Sequence, residues 1–466
     1  MDNRFSPHNL HVEGLDIFTQ QDPNLRALKK IKLVHQSPLI KCLPQKNPGI
    51  YTITGGRQIG KTTLLKQWMA HLVDKGNLPE TIQYLSGELI DDHHTLVRHI
   101  TDFLQPADLA HAQLKIQFLL IDEITYISNW DKGIKYLADS GFLEEVILIL
   151  TGSDSMIIKE ARMRFPGRRG MSDIVDFHLF PLGFHEYVRL NNRIKNDEIL
   201  SLLENESSQE KHLMLILYEE FENYLMHGGF LTAINDMAMH NQILPATFST
   251  YSDWIRGDVL KRNKQEYNLR DILGGVIKRY GSQITWNALS RDLSIDHPKT
   301  ISDYIELLQS MGVLYVQSAL LENKLGPAPK KAKKIIFCDP FIYHAANAWL
   351  NPCQDPFEML LRPQVKSAET CGSIVEACIA NHYQRKFPVF YIKAKGEVDI
   401  AYIDKNRFWP VEVKWAGQLR PKELKQISKY SNGKILTRSL VPGKIQGIQT
   451  EPAPLNLLRL FSRYFL

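Results

Sequence analysis

No apolar run in the 466-residue chain approaches ~20 residues, which excludes a membrane-spanning helix. The opening residues, Met1-Asp2-Asn3-Arg4, lack the apolar core of a signal peptide. Cysteine is scarce: Cys42, Cys338, Cys353, Cys371 and Cys378 are odd in number and form no C-x-x-C pair. That argues against a disulfide framework and a structural zinc site, and makes a reducing, cytoplasmic setting the expectation. Internal repeats and long low-complexity tracts are missing too, so a solenoid is not expected. Neither sign of charge dominates: the net charge is +5 and the pI about 8.7, which is compatible with nucleic acid without pointing to it. What remains is ordinary for a globular protein, with 44% hydrophobic and 23% charged residues. The length suits roughly two to four domains.

The most informative stretch is Ile50 to Thr63, where a β-branched run meets Gly-x-x-x-x-Gly-Lys-Thr and a helical pattern follows through Leu64, Leu65, Trp68 and Met69. Strand, glycine loop and helix are the context a P-loop requires. Gly55 and Gly60 let the backbone of Gly56, Arg57, Gln58 and Ile59 curl so that its N–H groups face phosphate oxygens. The helix N-terminus at Lys61, Thr62 and Thr63 adds positive potential. Lys61 suits the β- and γ-phosphates of ATP, and the Thr62 hydroxyl suits Mg²⁺.

Ahead of this loop, the pattern predicts one helix near Asn24 to Val34. Beyond it, Thr81 to Ser86 reads as a strand and residues 93–104 as an amphipathic helix. Gln117 to Ile124 is an apolar run of the kind buried on both faces of a parallel sheet, ending in Asp122-Glu123. Asp122 is expected to hold Mg²⁺ through water, and Glu123 to orient and polarise the attacking water. Glu145 to Leu150 gives a further strand, running into Thr151-Gly152-Ser153. Ser153, or else Thr151, is placed to touch the γ-phosphate or the water; Ser153 suits a helix N-cap equally well. Arg162, Arg164, Arg168 and Arg169 then crowd one loop, as an arginine finger acting across subunits would require and as a solvated basic loop would also show.

These motifs occur in a fixed order, followed by Phe180-Pro181-Leu182-Gly183-Phe184-His185-Glu186-Tyr187. With them the chain resembles prokaryotic AAA+-type P-loop ATPases (AAA_14-like) joined to a DUF4143-type C-terminal region. Tyr224 to Phe230 is similar to that family's Gly-Gly-Phe-Pro segment, although Leu231 stands where Pro is usual, and Tyr251 to Asp258 is similar to another of its stretches. The resemblance implies an α/β protein: an AAA+-like core over residues 1–185, a helical lid over 186–265, a winged helix over 266–330 and a restriction-endonuclease-like domain of PD-(D/E)XK type over 335–466. It also implies a homo-oligomer, with the finger at Arg168.

The residues from 266 onward can be read on their own terms. Helices Trp286 to Leu293 and Lys299 to Gln309, with a strand Val313 to Gln317, have helix-turn-helix spacing. The outward residues Lys299, Ser302, Asp303 and Glu306 are not strongly basic, which favours structural or protein-contact use over DNA contact. Pro327 to Lys334 is a basic linker, suited to tracking phosphates or to solvated spacing. Lys334 to Asp339 reads as a strand entering the last domain. There Glu376 lies in a helix, and two strands flank Asp404-Lys405-Asn406-Arg407. Closure on Lys405-Asn406 sets Asp399 opposite Glu412, with Cβ atoms ~5 Å apart, and Glu412 and Lys414 leave the same face. Asp399, Glu412 and Glu376 form a candidate site for Mg²⁺ or Mn²⁺, with Lys414 acting on the water of a DNA-cleaving reaction. A ladder of solvated cross-strand charges is the plainer alternative. Two functions follow: an ATPase coupled to a metal-dependent nuclease, or an ATP-dependent switch whose last domain only grips DNA or protein.

Overall fold

The computed structural model describes residues 3–104, 116–153, 158–159, 162–165, 167, 169–170, 172–204, 211–293, 295, 297–415 and 424–462. The chain divides into two compact units, Met1–Phe180 and Pro181–Leu466. Among the described residues no helix is long and apolar enough to cross a membrane.

The first unit is built on β1 (Gly49–Thr54), β2 (Ile82–Ser86), β3 (Gln117–Asp122), β4 (Val146–Gly152) and β5 (Asp176–His178). All pairings are parallel and the spatial order is β2-β3-β4-β1-β5. Its fully described α-helices are α1 (Leu15–Gln21), α2 (Pro23–Leu28), α3 (Leu39–Cys42), α4 (Lys61–Asp74), α5 (His93–Leu104) and α6 (Trp130–Asp139). A strand covered on both sides must be apolar on both sides, and β3 is: Phe118 and Leu120 pack with Leu65, Trp68 and Met69 of α4, while Leu119 and Ile121 join Leu96, Ile100 and Ile134 of α5 and α6. The lead-in departs from the expected single helix. Asp22 ends α1 and its side chain accepts from the backbone N–H groups of Asn24 and Leu25, so that α2 starts there and stops at Leu28.

The second unit opens with helices Phe184–Asn191, Asn196–Glu204, Lys211–His227, Leu231–His240 and Pro245–Lys261. Gly228-Gly229 joins two of them, as expected, but for a reason invisible locally. Gly228 has φ +57°, and a Cβ there would lie 1.8 Å from Asp339 Oδ1. Gly229 N–H donates to Asp339 Oδ2 at 2.8 Å. Helix Glu266–Lys278, β6 (Gln283–Ile284), helices Trp286–Leu293 and Pro298–Ser310, and β7 (Leu314–Ser318) follow. After the short pair β8 (Leu320–Leu321) and β9 (Gly326–Pro327) comes β10 (Lys333–Phe337). Here the expectation is corrected. β10 does not enter the last sheet; it is antiparallel to both β6 and β7, in the order β6-β10-β7.

The last sheet comprises β11 (Val389–Lys393), β12 (Glu397–Asp404), β13 (Arg407–Lys414), β14 (Lys434–Thr437), β15 (Gly443–Ile445) and β16 (Ile448–Pro452), in the order β11-β12-β13-β14-β16-β15. Helix Ala368–Gln384, which carries Glu376, packs on it. β12 and β13 close on Lys405-Asn406, both at positive φ as a two-residue hairpin turn demands. Ile400 faces Val411 and Asp404 faces Arg407, the register the turn implies. The first residues of the helix expected over Pro421 to Tyr430 lie outside those described; its described part includes the short turn Ile427–Lys429.

Candidate nucleotide site and acidic cluster

Between β1 and α4 the loop from Gly55 to Gly60 curls through Gln58 (φ +61°) and Gly60 (φ +94°). A Cβ on Gly55 would sit 2.4 Å from the Leu179 carbonyl oxygen, so only glycine fits. Lys61 is buried, and its Nζ donates to the carbonyls of Gly55 (3.1 Å) and Gly56 (3.0 Å). It also lies 3.4 Å from Glu123 Oε1. Arg57 reaches sideways to the Tyr126 hydroxyl at 2.7 Å.

The end of β3 is held from several sides. Asp122 Oδ2 accepts from Thr62 Oγ1 at 2.6 Å and from the Tyr84 hydroxyl at 2.9 Å, and Oδ1 accepts from Thr151 Oγ1. Glu123 follows in left-handed conformation (φ +49°), its N–H donating to Thr151 Oγ1 at 3.0 Å. Ser153 Oγ lies 2.8 Å from each carboxylate oxygen of Glu123. Thr151 and Ser153 thus take separate tasks, one fixing Asp122 and the other Glu123; the helix start expected at Asp154 lies outside the described residues. Thr62 and Asp122 present hard oxygen donors on one spot beside the loop, a set that fits Mg²⁺.

Arg168 lies outside the described residues. Of its companions, Arg162 pairs with Asp176 at 2.5 Å, Arg169 with the same carboxylate, and Arg164 with Asp131. These three therefore serve contacts within this chain.

In the second unit, Lys334 of β10 is 1% exposed and stands among acids. Its Nζ is 2.7 Å from Glu376 Oε1 and 3.7 Å from Asp399 Oδ1, and it contacts Glu397. Burial pulls its pKa down, but Glu376, Asp399 and Glu397 outweigh burial and hold it charged. Asp399 Oδ2 accepts the Val413 N–H at 2.8 Å. Lys414 Nζ is 2.8 Å from Glu412 Oε1, and Glu412 Oε2 is buried with no hydrogen-bond partner. Burial first, and then Asp399, push both Glu376 and Glu412 upward. Sequence placed Glu376, Asp399, Glu412 and Lys414 around one patch, but it missed Lys334, whose ammonium lies among Glu376, Glu397 and Asp399. Among the described residues no group of three or more His, Cys, Asp or Glu is arranged to hold a metal. The donor set does not fit a divalent cation while Lys334 is in place.

Residues 47–188 match the family model described as AAA domain (AAA_14), and residues 218–352 match a domain of unknown function, DUF8612. The first is an AAA-type P-loop domain, as expected; the second replaces the DUF4143-type region anticipated from sequence. An uncharacterized protein of Haemophilus influenzae is 26% identical over 276 residues, covering 57% of this chain and 61% of the relative. The uncharacterized protein MJ1544 of Methanocaldococcus jannaschii is 28% identical over 255 residues, covering 54% and 51%. The chain thus spans little more than half the length of these relatives. Among solved structures, the Walker-type ATPase PABY2304 of Pyrococcus abyssi aligns at 13% identity over 71% of this chain and 96% of that one, with a TM-score of 0.39. The Aeropyrum pernix ORC1 protein in complex with DNA aligns at 12% identity over 72% and 93%, with a TM-score of 0.28.

Proposed function

We propose that this chain hydrolyses ATP in its AAA-type domain and uses the cycle to switch a C-terminal part that grips DNA. The carrying observation is the convergence of Lys61, Thr62, Asp122, Glu123 and Ser153 at the end of β1, β3 and β4. Lys61 leaves its carbonyl partners to meet the β- and γ-phosphates, and the backbone of Gly56 to Thr63 cradles them. Thr62 and Asp122 would hold Mg²⁺, which neutralises phosphate charge when bound. Glu123, released from Ser153, orients and polarises the water.

Arg168 supplies the finger to a neighbouring copy in a homo-oligomer. Turnover per chain is therefore expected to rise with protein concentration, and Arg168→Ala chains mixed into the unaltered protein should depress it more than dilution does. Turnover independent of concentration and of Arg168 would return this loop to a structural role.

DNA is favoured as partner by the lysines around the second unit's hairpins. Lys330, Lys331, Lys393 and Lys395 are exposed and Lys333 half-buried. Lys331 Nζ donates to the Lys393 carbonyl at 3.0 Å, so the turn before β10 and the turn before β12 form one basic strip. Each phosphate contact contributes about 0.9 to the slope of log affinity against log salt on duplex DNA. Replacing Lys330, Lys331 and Lys395 with Ala should lower that slope by roughly 2–3 in anisotropy titrations. An unchanged slope would remove the strip from the interface. The arrangement of helices and strands from Glu266 to Phe337 supports a winged helix carrying part of this strip.

A nuclease is the second reading, favoured by the Asp399–Glu412 hairpin, Lys414 on the same face, and the helical Glu376. The position of Lys334 speaks for a non-cutting, DNA-gripping domain instead. Asp399-dependent cleavage of duplex, single-stranded or branched DNA by the full chain with Mg²⁺ or Mn²⁺ would reverse that preference.

A further inference from the structure

The most deeply buried charges in the first unit are ones the ATPase chemistry does not use. Lys66 lies four residues after Thr62 on α4, and its side chain and that of its partner Asp22 are both fully buried, with Nζ 3.4 Å from Asp22 Oδ2. Nζ also donates to the His8 carbonyl at 2.5 Å and stands 3.6 Å from the centre of the Tyr84 ring. Desolvating an ammonium and a carboxylate costs several kcal/mol each, so an apolar residue would serve plain packing better.

What Lys66 does is fix a ring. A cation over an aromatic face is attracted to it and restrains the ring. The Tyr84 backbone is fixed as well. β2 is an edge strand, and the Asn9 side chain supplies the missing neighbour: its Nδ2 donates to the Tyr84 carbonyl at 2.9 Å, and its Oδ1 accepts the Tyr84 N–H at 2.8 Å. Backbone and ring together aim the phenol at Asp122, 2.9 Å away. A phenol keeps its proton at neutral pH, so the Tyr84 hydroxyl is the donor to this carboxylate.

We propose that Tyr84 is a positioning residue for the Mg²⁺-holding carboxylate Asp122, and that the lead-in residues Asn9 and Asp22, with Lys66, set its position. This rests on the ATPase reading and deepens it. Asp122 then meets the metal already oriented by Tyr84 and Thr151, with Thr62 beside it. Groups that orient a metal's ligands typically change metal affinity or activity by about 10–100-fold when removed.

The test is Tyr84→Phe in the full chain, which keeps the ring and deletes only the hydroxyl. A fluorescent ATP analogue is titrated first in EDTA and then at fixed concentration with rising Mg²⁺. Binding in EDTA should stay within about twofold of the unaltered chain, because no phosphate contact is lost, while the half-saturating Mg²⁺ should rise about tenfold. The double change Lys66→Met with Asp22→Asn removes both buried charges without leaving one alone, and should shift the same midpoint in the same direction. A Mg²⁺ midpoint within twofold of normal in Tyr84→Phe, at unchanged melting temperature, overturns the proposal. A Mg²⁺ shift in the double variant alone also overturns it, because the hydroxyl would then not be the link. Failure of the unaltered chain to bind the analogue with Mg²⁺ would instead overturn the ATPase reading itself.

Discussion

Glu123→Gln is expected to bind ATP about as well as the unaltered chain and to turn it over at least about 100-fold more slowly, the range a positioned base contributes. The amide preserves the shape that Ser153 Oγ meets at 2.8 Å, so the loop and the Asp122 network stay in place. What disappears is a carboxylate able to polarise water. Lys61→Ala should fail differently. It removes the one ammonium inside the loop, now held 3.0 and 3.1 Å from two carbonyls, and with it the charge partner of the phosphates. Nucleotide affinity, measured by equilibrium binding, should fall before turnover can be assessed. Normal turnover in Glu123→Gln would remove the glutamate from the mechanism.

Lys334→Met should destabilise the second unit by about 3–5 kcal/mol at pH near 8, because breaking a buried ion pair leaves uncompensated charge. Glu376 and Glu412 have raised pKa values, chiefly from burial. A carboxyl raised in the folded state holds its proton where the unfolded chain has released it, so stability falls as pH rises through that interval. Lys334 offsets this for Glu376, so its loss should matter less at about pH 5, where folded Glu376 and Glu412 hold their protons. Thermal melts of the full chain at both pH values check the sign. Adding Mn²⁺ separates the two readings of the cluster. If it stabilises Lys334→Met but not the unaltered chain, the ammonium stands in for the metal. If it stabilises the unaltered second unit and Asp399→Asn abolishes the effect, the metal site is real.

Much of the first unit was legible because its chemistry is local. The Gly-Lys-Thr loop, the two-faced apolar β3 and the Asp122-Glu123 ending are each contiguous in sequence. The β12–β13 register was legible as well, since a two-residue turn leaves little freedom. What stayed hidden depended on distant partners. Lys334 stands at the edge of a lysine-rich stretch and looks solvated until β10 is placed between β6 and β7. Lys66 lies in an ordinary amphipathic helix, and only the folded lead-in brings Asp22 to it. Gly228 looks like a simple helix joint; the close approach of Asp339, more than a hundred residues away, is what requires it.

β10 has a consequence for how such chains diversify. Its composition, a run of lysines between prolines and an apolar strand, resembles the kind of seam at which modules are exchanged. Yet this strand completes one sheet through its backbone and neutralises the acids beside another through Lys334. A recombination event cutting after residue 334 would hand the incoming partner an acidic cluster without its cation. An exchange that keeps this cluster neutralised would have to fall upstream of β10 and carry the lysine with it.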